Sequence, residues 1–265
     1  MVAAAVAREI IAGKNWRNLK VLIPVSVLAL ANIGFHAEAY ARGSADISIR
    51  AAIATIVVLI MLIGGRVVPS FTRNWLARQN PGALPAPFGT FDGIAVALSA
   101  ASLIGWTILP AGPWTALALL AAALLQTLRL ARWAGHRTSR DWLVLILHVA
   151  YGFIPLGFVL LTLGALDIIP SSAGLHAWMV GGAGTMTLAV MTRASLGHTG
   201  RELVAGRGTR AIYLAIVIAA GARIVAALLP QWSLALLHVG ALAWLAAFGG
   251  FALLYGPLLF RKRVS

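Results

Sequence analysis

A chain of 265 residues in which 60% are hydrophobic and only 11% charged is far more apolar than a soluble domain, where about half the residues are apolar and a quarter charged. The absence of cysteine excludes disulfides, thiolate metal sites and a catalytic thiol, so any metal must be held by His, Met, carboxylate or backbone. A net charge of +14 does not mark a nucleic-acid-binding protein, because the basic residues are spread along the chain and do not gather on one face.

Met1 to Ile11 lacks the charged start, apolar middle and small-residue cleavage site of a signal peptide, so insertion through the hydrophobic helices themselves is expected. Crossing about 30 Å of hydrocarbon takes around 20 mostly apolar residues at roughly 1.5 Å rise each. In chain order the segments that meet this test are Leu19 to Tyr40, Ile49 to Val68, Phe91 to Leu109, Trp114 to Leu130, Trp142 to Leu163, His176 to Met191, Ala211 to Leu229 and Trp232 to Phe260. Asn80-Pro81-Gly82 with Pro85 and Pro87, Pro110 to Pro113, Pro170 with Ser171 and Ser172, and Pro230 punctuate them. Short connections imply antiparallel neighbours. The predicted fold is an all-α polytopic transmembrane bundle of about eight spans, one domain over residues 1–265. Ala116 to Leu125, rich in Ala and Leu, reads as lipid-facing filler.

Lys and Arg are retained on the cytoplasmic side of a membrane. Alternate connections carry Arg8, Lys14, Arg17 and Lys20; Arg66, Arg73 and Arg78; Arg129, Arg132, Arg137 and Arg140; Arg193, Arg201, Arg207 and Arg210; and Arg261, Lys262 and Arg263. Of the 21 basic residues only Arg42, Arg50 and Arg223 fall toward the other side. Both termini are therefore expected in the cytoplasm and the protein in the inner membrane of a bacterium, with lipid as a partner and no nucleic acid.

Ionisable groups inside spans are costly and mark pathways, relays or ligand sites. His36, His176 and His238 are predicted within about 10 Å of the outer boundary, where a shared metal site is geometrically permitted. His148 lies toward the cytoplasmic side, with His198 and His136 in basic loops; one ion cannot bridge the inner and outer groups. Each histidine has a plain alternative, a hydrogen bond to a neighbouring helix. Met179, Met186 and Met191 share the sixth span but read as packing. Asn32 and Tyr40 lie on the His36 face of their helix, whereas Glu38 points elsewhere. His148, Tyr151, Gly152 and Pro155 share a face that suits a proton or ligand route. The run Gly181-Gly182-Ala183-Gly184 sacrifices helix propensity and lets a second helix or a flat cofactor approach the backbone. Asp92 and Asp167, near helix ends, read as caps or solvated groups. A weak echo joins Leu147-His148-Val149-Ala150 to Leu237-His238-Val239-Gly240, too short to establish an inverted repeat.

Three stretches carry a resemblance: residues 8–20, residues 64–75, and above all His176 to Arg201 with its core Gly184-Thr-Met-Thr-Leu-Ala-Val-Met-Thr-Arg-Ala-Ser-Leu-Gly-His198. They resemble the NnrS family of haem- and copper-containing membrane proteins associated with denitrification and nitric oxide stress. The resemblance implies a haem-bearing bundle, with b-type haem and copper as candidate cofactors and nitric oxide as a candidate ligand. It nominates His36, His148, His176, His198 and His238 for ligation; from their depths we expect the outer trio His36, His176 and His238 to supply axial or metal ligands, and His148 with His198 a second inner site. Family members usually have about twelve spans, so the resemblance also implies that about four N-terminal helices are lacking here, and with them any ligand or quinol-like entry route they supply.

The expected function is thus that of a haem-binding membrane protein, with copper as a second metal, in the response to nitrosative stress. The alternative from another class is a proton-coupled small-solute transporter or permease that uses His148, Tyr151, Glu38 and the Gly-rich span as a polar path. A purely structural partner subunit is the third reading.

Overall fold

The computed structural model describes residues 5, 8, 9, 11–14, 19–79 and 82–260. Arg17, Asn80, Pro81 and the basic end Arg261-Lys262-Arg263, all used above, lie outside the described residues, as do residues 10, 15, 16 and 18 of the first resembling stretch. Every described element is helical. This is the expected answer to an apolar solvent, since a helix satisfies its own backbone polar groups where no water can.

The helices are α1 (Leu19–Arg42), α2 (Asp46–Leu76), α3 (Thr90–Ile108), α4 (Pro113–Ala131), α5 (Trp142–Ala165), α6 (Ser172–His176), α7 (Thr185–His198), α8 (Arg207–Leu228) and α9 (Ser233–Leu259). A π-helical segment, Ala177–Gly184, joins α6 to α7 without a break in helical backbone. Seven helices (α1 to α5, α8 and α9) are individually long and apolar enough to cross a membrane. The chain is a multi-pass membrane protein. The sixth predicted segment is the exception: it is assembled from pieces of 5, 8 and 14 residues that together make one continuous rod.

The second and sixth spans differ most from expectation at their ends. Helix α2 continues past Pro69 to Leu76, so Arg66 and Arg73 ride on the helix and not on a connection. Its extra turns are retained because they bury Thr72 and Leu76. The sixth span starts at Ser172 and ends at His198, so His176 does not open it and His198 is helical.

Neighbouring spans run antiparallel. Arg50 at the start of α2 reaches Thr107 at the end of α3, and Thr209 at the start of α8 bonds Tyr255 at the end of α9. One end of the bundle therefore gathers the α2–α3, α4–α5 and α7–α8 connections with their basic residues; we refer to it as the basic end.

Helix α5 is the hub. Of its most apolar stretch 67% is buried, against 11% for α1 and 17% for α9, which are peripheral. Around α5 stand α4, α2 and the sixth span, while α9 packs mainly on α8 and α1 mainly on α2. Helix α4 is not the lipid-facing filler expected: Ala116, Leu119, Ala122 and Ala123 are buried and only the opposite face is exposed. Its small residues admit α3 and α5 at close range.

Local chemistry sets the ends. The Asp141 carboxylate accepts from the Leu143 and Val144 amides at 2.8 and 3.3 Å to start α5. Pro113 opens α4 at the position where its missing N–H costs nothing. Gly112, at φ +109°, turns α3 into α4 and donates its N–H to Ala165 O at 2.8 Å, tying that turn to the end of α5.

Candidate functional sites at the two ends of the bundle

Two groups of polar residues stand inside the bundle, and they are built on opposite principles. The first is at the basic end and is sealed. Pro113–Ala131 places Gln126 and Arg129 on the buried face of α4, and both are fully buried. Arg129 donates from Nε to Asp92 Oδ1 at 3.1 Å, and from Nη1 to Met61 O at 2.9 Å and Tyr151 Oη at 2.8 Å. The phenol passes its own proton to Gln126 Oε1 at 2.7 Å, and Gln126 Nε2 donates to Ser99 Oγ at 2.9 Å and Ala95 O at 3.2 Å. The guanidinium also sits 5.3 Å from the Trp133 ring centre, a cation–π contact.

Asp92 is the anion that makes this burial tolerable. It is 3% exposed, closes the first turn of α3 by accepting from Gly89 N at 3.1 Å, and has Arg132 at 3.6 Å on its outer side. Of the two readings offered for Asp92, cap or solvated group, the structure shows the cap. Asp167 is exposed, at φ +56°. Removing one member of a buried ion pair leaves an uncompensated charge in an apolar medium, at a cost of about 3–5 kcal/mol. Gly65 completes the seat, because a Cβ there would collide with the guanidinium, and Arg129 Nη2, which points at it, has no hydrogen-bond partner.

His148 belongs to this sealed region. Its Nε2 lies 2.8 Å from Thr72 Oγ1, and that hydroxyl spends its single proton on Val68 O at 2.8 Å. The hydroxyl must then accept, so Nε2 carries the imidazole proton and Nδ1 holds the lone pair. Nδ1 has no partner and faces Gly135, whose Cβ would be only 2.6 Å away. The backbone of the α4–α5 connection closes over the one nitrogen that could coordinate a metal.

The second group, at the opposite end, is open. His238 lies in the first turns of α9, exposed, with Nδ1 2.7 Å from Leu234 O. A carbonyl can only accept, so Nδ1 carries the proton and Nε2 presents its lone pair outward. His176, half-buried at the start of the π-helical segment, lies within electrostatic reach of Arg223 on α8. Beside them is a cleft of about 440 Å³ lined by Val180, Arg223, Gly240, Ala241, Trp244 and Leu245. His238 lies within one turn of Gly240 and Ala241, which line that cleft, and is not itself part of the lining. The glycines of the sixth span serve close approach: Gly181 lies against the Phe153 ring and Gly184 against Trp244, where a Cβ would be 2.9 Å from the indole.

The remaining histidines are elsewhere. His36 is exposed on α1, edge-on to Phe35 at 5.4 Å, and neither Asn32 nor Tyr40 bonds it; Tyr40 is exposed. Glu38 serves a different neighbour, accepting from the Ile47 and Ser48 amides and from Ser48 Oγ at the start of α2. His198, at the end of α7, and His136, in a single 3₁₀ turn, are exposed. Among the described residues no group of three or more His, Asp or Glu stands close enough to hold a metal ion. His36, His176 and His238 share an end of the bundle but do not form such a group.

The NnrS protein family model matches residues 1–263. This chain belongs to the NnrS family. Membership supports a membrane protein connected with nitric oxide stress. No curated protein and no solved structure matches it. For this NnrS-family chain, sequence reasoning missed Arg129, which it counted with the basic loops. The signal was present: Arg129 falls inside the fourth predicted span and Asp92 inside the third, two opposite charges at the same end of adjacent helices. It also set Arg223 aside as an exception to the charge rule, although an intramembrane cation is itself a pointer to function.

Proposed function

We propose that this chain binds b-type haem at the open end of the bundle, through His238, as a membrane protein of the nitrosative stress response. The observation that carries the reading is the His238 imidazole, locked as the Nδ1–H tautomer by Leu234 O, with Nε2 free, on the stretch of α9 whose Gly240, Ala241 and Trp244 line the cleft. Neutral imidazole held by a hydrogen bond on its other nitrogen is the usual form of a haem or metal ligand. His176 is the second candidate at this end. His148 fits poorly, with one nitrogen on Thr72 and the other walled by Gly135, and His36 and His198 are exposed and belong to no group of three or more His, Asp or Glu among the described residues.

Bound haem would supply an iron that takes nitric oxide or an electron. The contribution of this chain is the imidazole lone pair, the apolar walls of Trp244 and Leu245, and a bilayer that limits water at the site. Copper receives no such support, since a copper centre asks for several donors together and the described residues of one chain do not assemble three. The same reading sets the basic end toward the cytoplasm and the open end toward the outer face of a bacterial inner membrane, following the bias of Lys and Arg.

The test is the reduced-minus-oxidised optical spectrum of the protein purified in mild detergent, with iron and copper analysis. A Soret band, its loss in His238→Ala, and a shift on adding nitric oxide are expected. A colourless, iron-free protein that takes up no haem on reconstitution would overturn the reading.

A further inference from the structure

We propose that the cleft beside His238 is a seat for the carboxylates of a flat anionic ligand, with Arg223 as their counter-ion. The proposal rests on the haem reading above and adds to it the porphyrin propionates as the groups recognised.

The first observation is the unpaired cation. Arg223 lies within the α8 span, about 8 Å before its end at roughly 1.5 Å per residue. It makes neither a hydrogen bond nor an ion pair with any described residue. Arg50, at the same end of the bundle, donates Nε to Thr107 O at 3.0 Å, and Arg129 at the other end is bonded on two of its three nitrogens. An intramembrane guanidinium without a partner is expensive, and its presence calls for an anion.

The second observation is that the site is shaped. The Arg223 stem lies across Gly240, where a Cβ would be 3.2 Å from both Cγ and Cδ. Glycine at that position is what lets the stem fold against α9 and hold the guanidinium at the cleft. On the other side the Trp244 ring is fixed between Gly184 and Phe248, whose ring centre is 4.5 Å away and tilted by 35°. A cation and an aromatic wall thus border one cavity of about 440 Å³, and His238 precedes its α9 lining residues Gly240 and Ala241 by less than one helical turn. A carboxylate paired with a partly desolvated guanidinium makes a charge-assisted bond, stronger than a neutral one. Phosphate on an anionic lipid offers the same chemistry, and the experiment separates the two sources.

The protein is reconstituted in nanodiscs, depleted of haem, and titrated with haem and with haem dimethyl ester, in which the propionates carry no charge. Wild type is expected to bind haem about tenfold tighter than the ester, the ratio that one charge-assisted pair supports. Arg223→Gln brings the two affinities level, and Arg223→Lys keeps part of the preference, guarding against a variant that fails to fold. Equal binding of haem and ester by wild type, or a preference that survives Arg223→Gln, overturns the proposal and leaves the haem reading standing. Binding of neither by wild type overturns the haem reading and this one with it. Native mass spectrometry of retained phosphatidylglycerol completes the set: loss of lipid in Arg223→Gln with the haem preference intact assigns the cation to lipid and also overturns the proposal.

Discussion

The tetrapeptides Leu147-His148-Val149-Ala150 and Leu237-His238-Val239-Gly240 read almost alike, yet their histidines have opposite fates. His148 sits on the hub helix, buried, bonded through Nε2 to Thr72 and covered at Nδ1 by Gly135. His238 sits on a peripheral helix, bonded through Nδ1 to its own backbone, with Nε2 open. The pair teaches that a histidine inside a span does one of two jobs, and that the tautomer, set by the nearest acceptor, tells which. A nitrogen engaged by a buried hydroxyl ties helices together; a nitrogen left free beside a cavity is available to a ligand.

The largest effect is expected where the sealed region is broken. Asp92→Asn strips Arg129 of its counter-ion and should lower stability by about 3–5 kcal/mol, seen as a sharp fall in folded yield and in the detergent melting temperature. A normal melting curve would show that the network does not hold the basic end together. Gly65→Ala puts a methyl group where the guanidinium lies; a loss of about 1–3 kcal/mol is expected, and a silent substitution would mean that Arg129 is free to move.

His148→Ala and His238→Ala sharpen the comparison directly. The first should cost about 1–3 kcal/mol, since it leaves a cavity and removes the donor that the Thr72 hydroxyl accepts from, and should keep whatever cofactor is bound. The second should leave the melting curve within about 0.5 kcal/mol of wild type, as exposed sites do, and remove the Soret band. An exchange of these phenotypes would reverse the assignment of the two ends. Smallest of all, Arg132→Gln removes an ion pair whose basic partner is 36% exposed; a change below about 1 kcal/mol is expected, and a larger one would extend the sealed network to the surface.

Much of the fold was legible without coordinates. Spans α1, α3, α4, α5, α8 and α9 follow from the length of apolar runs, because bilayer thickness imposes length on a helix whatever it packs against. The extension of α2 past Pro69 was not legible, since a proline near a basic residue reads as an end until Thr72 is seen bonded to His148 across the bundle. Glu38 was correctly turned away from His36 by helical periodicity alone, as the partners sit 200° apart on the helix wheel.

By itself the sequence determined the solvent, the helical class and the inventory of polar residues that need partners. Only the tertiary structure decided which partners they have. Arg129 and Arg223 are both single cations inside an apolar span, indistinguishable by hydropathy. One becomes a structural rivet because Asp92, Tyr151 and Gly65, from three other helices, converge on it. The other remains unpaired among the described residues because Gly240 and Trp244 leave a cleft beside it. Hydropathy is a property of one segment, whereas satisfying a buried charge depends on what neighbouring segments bring to it, and that is fixed only when the helices pack.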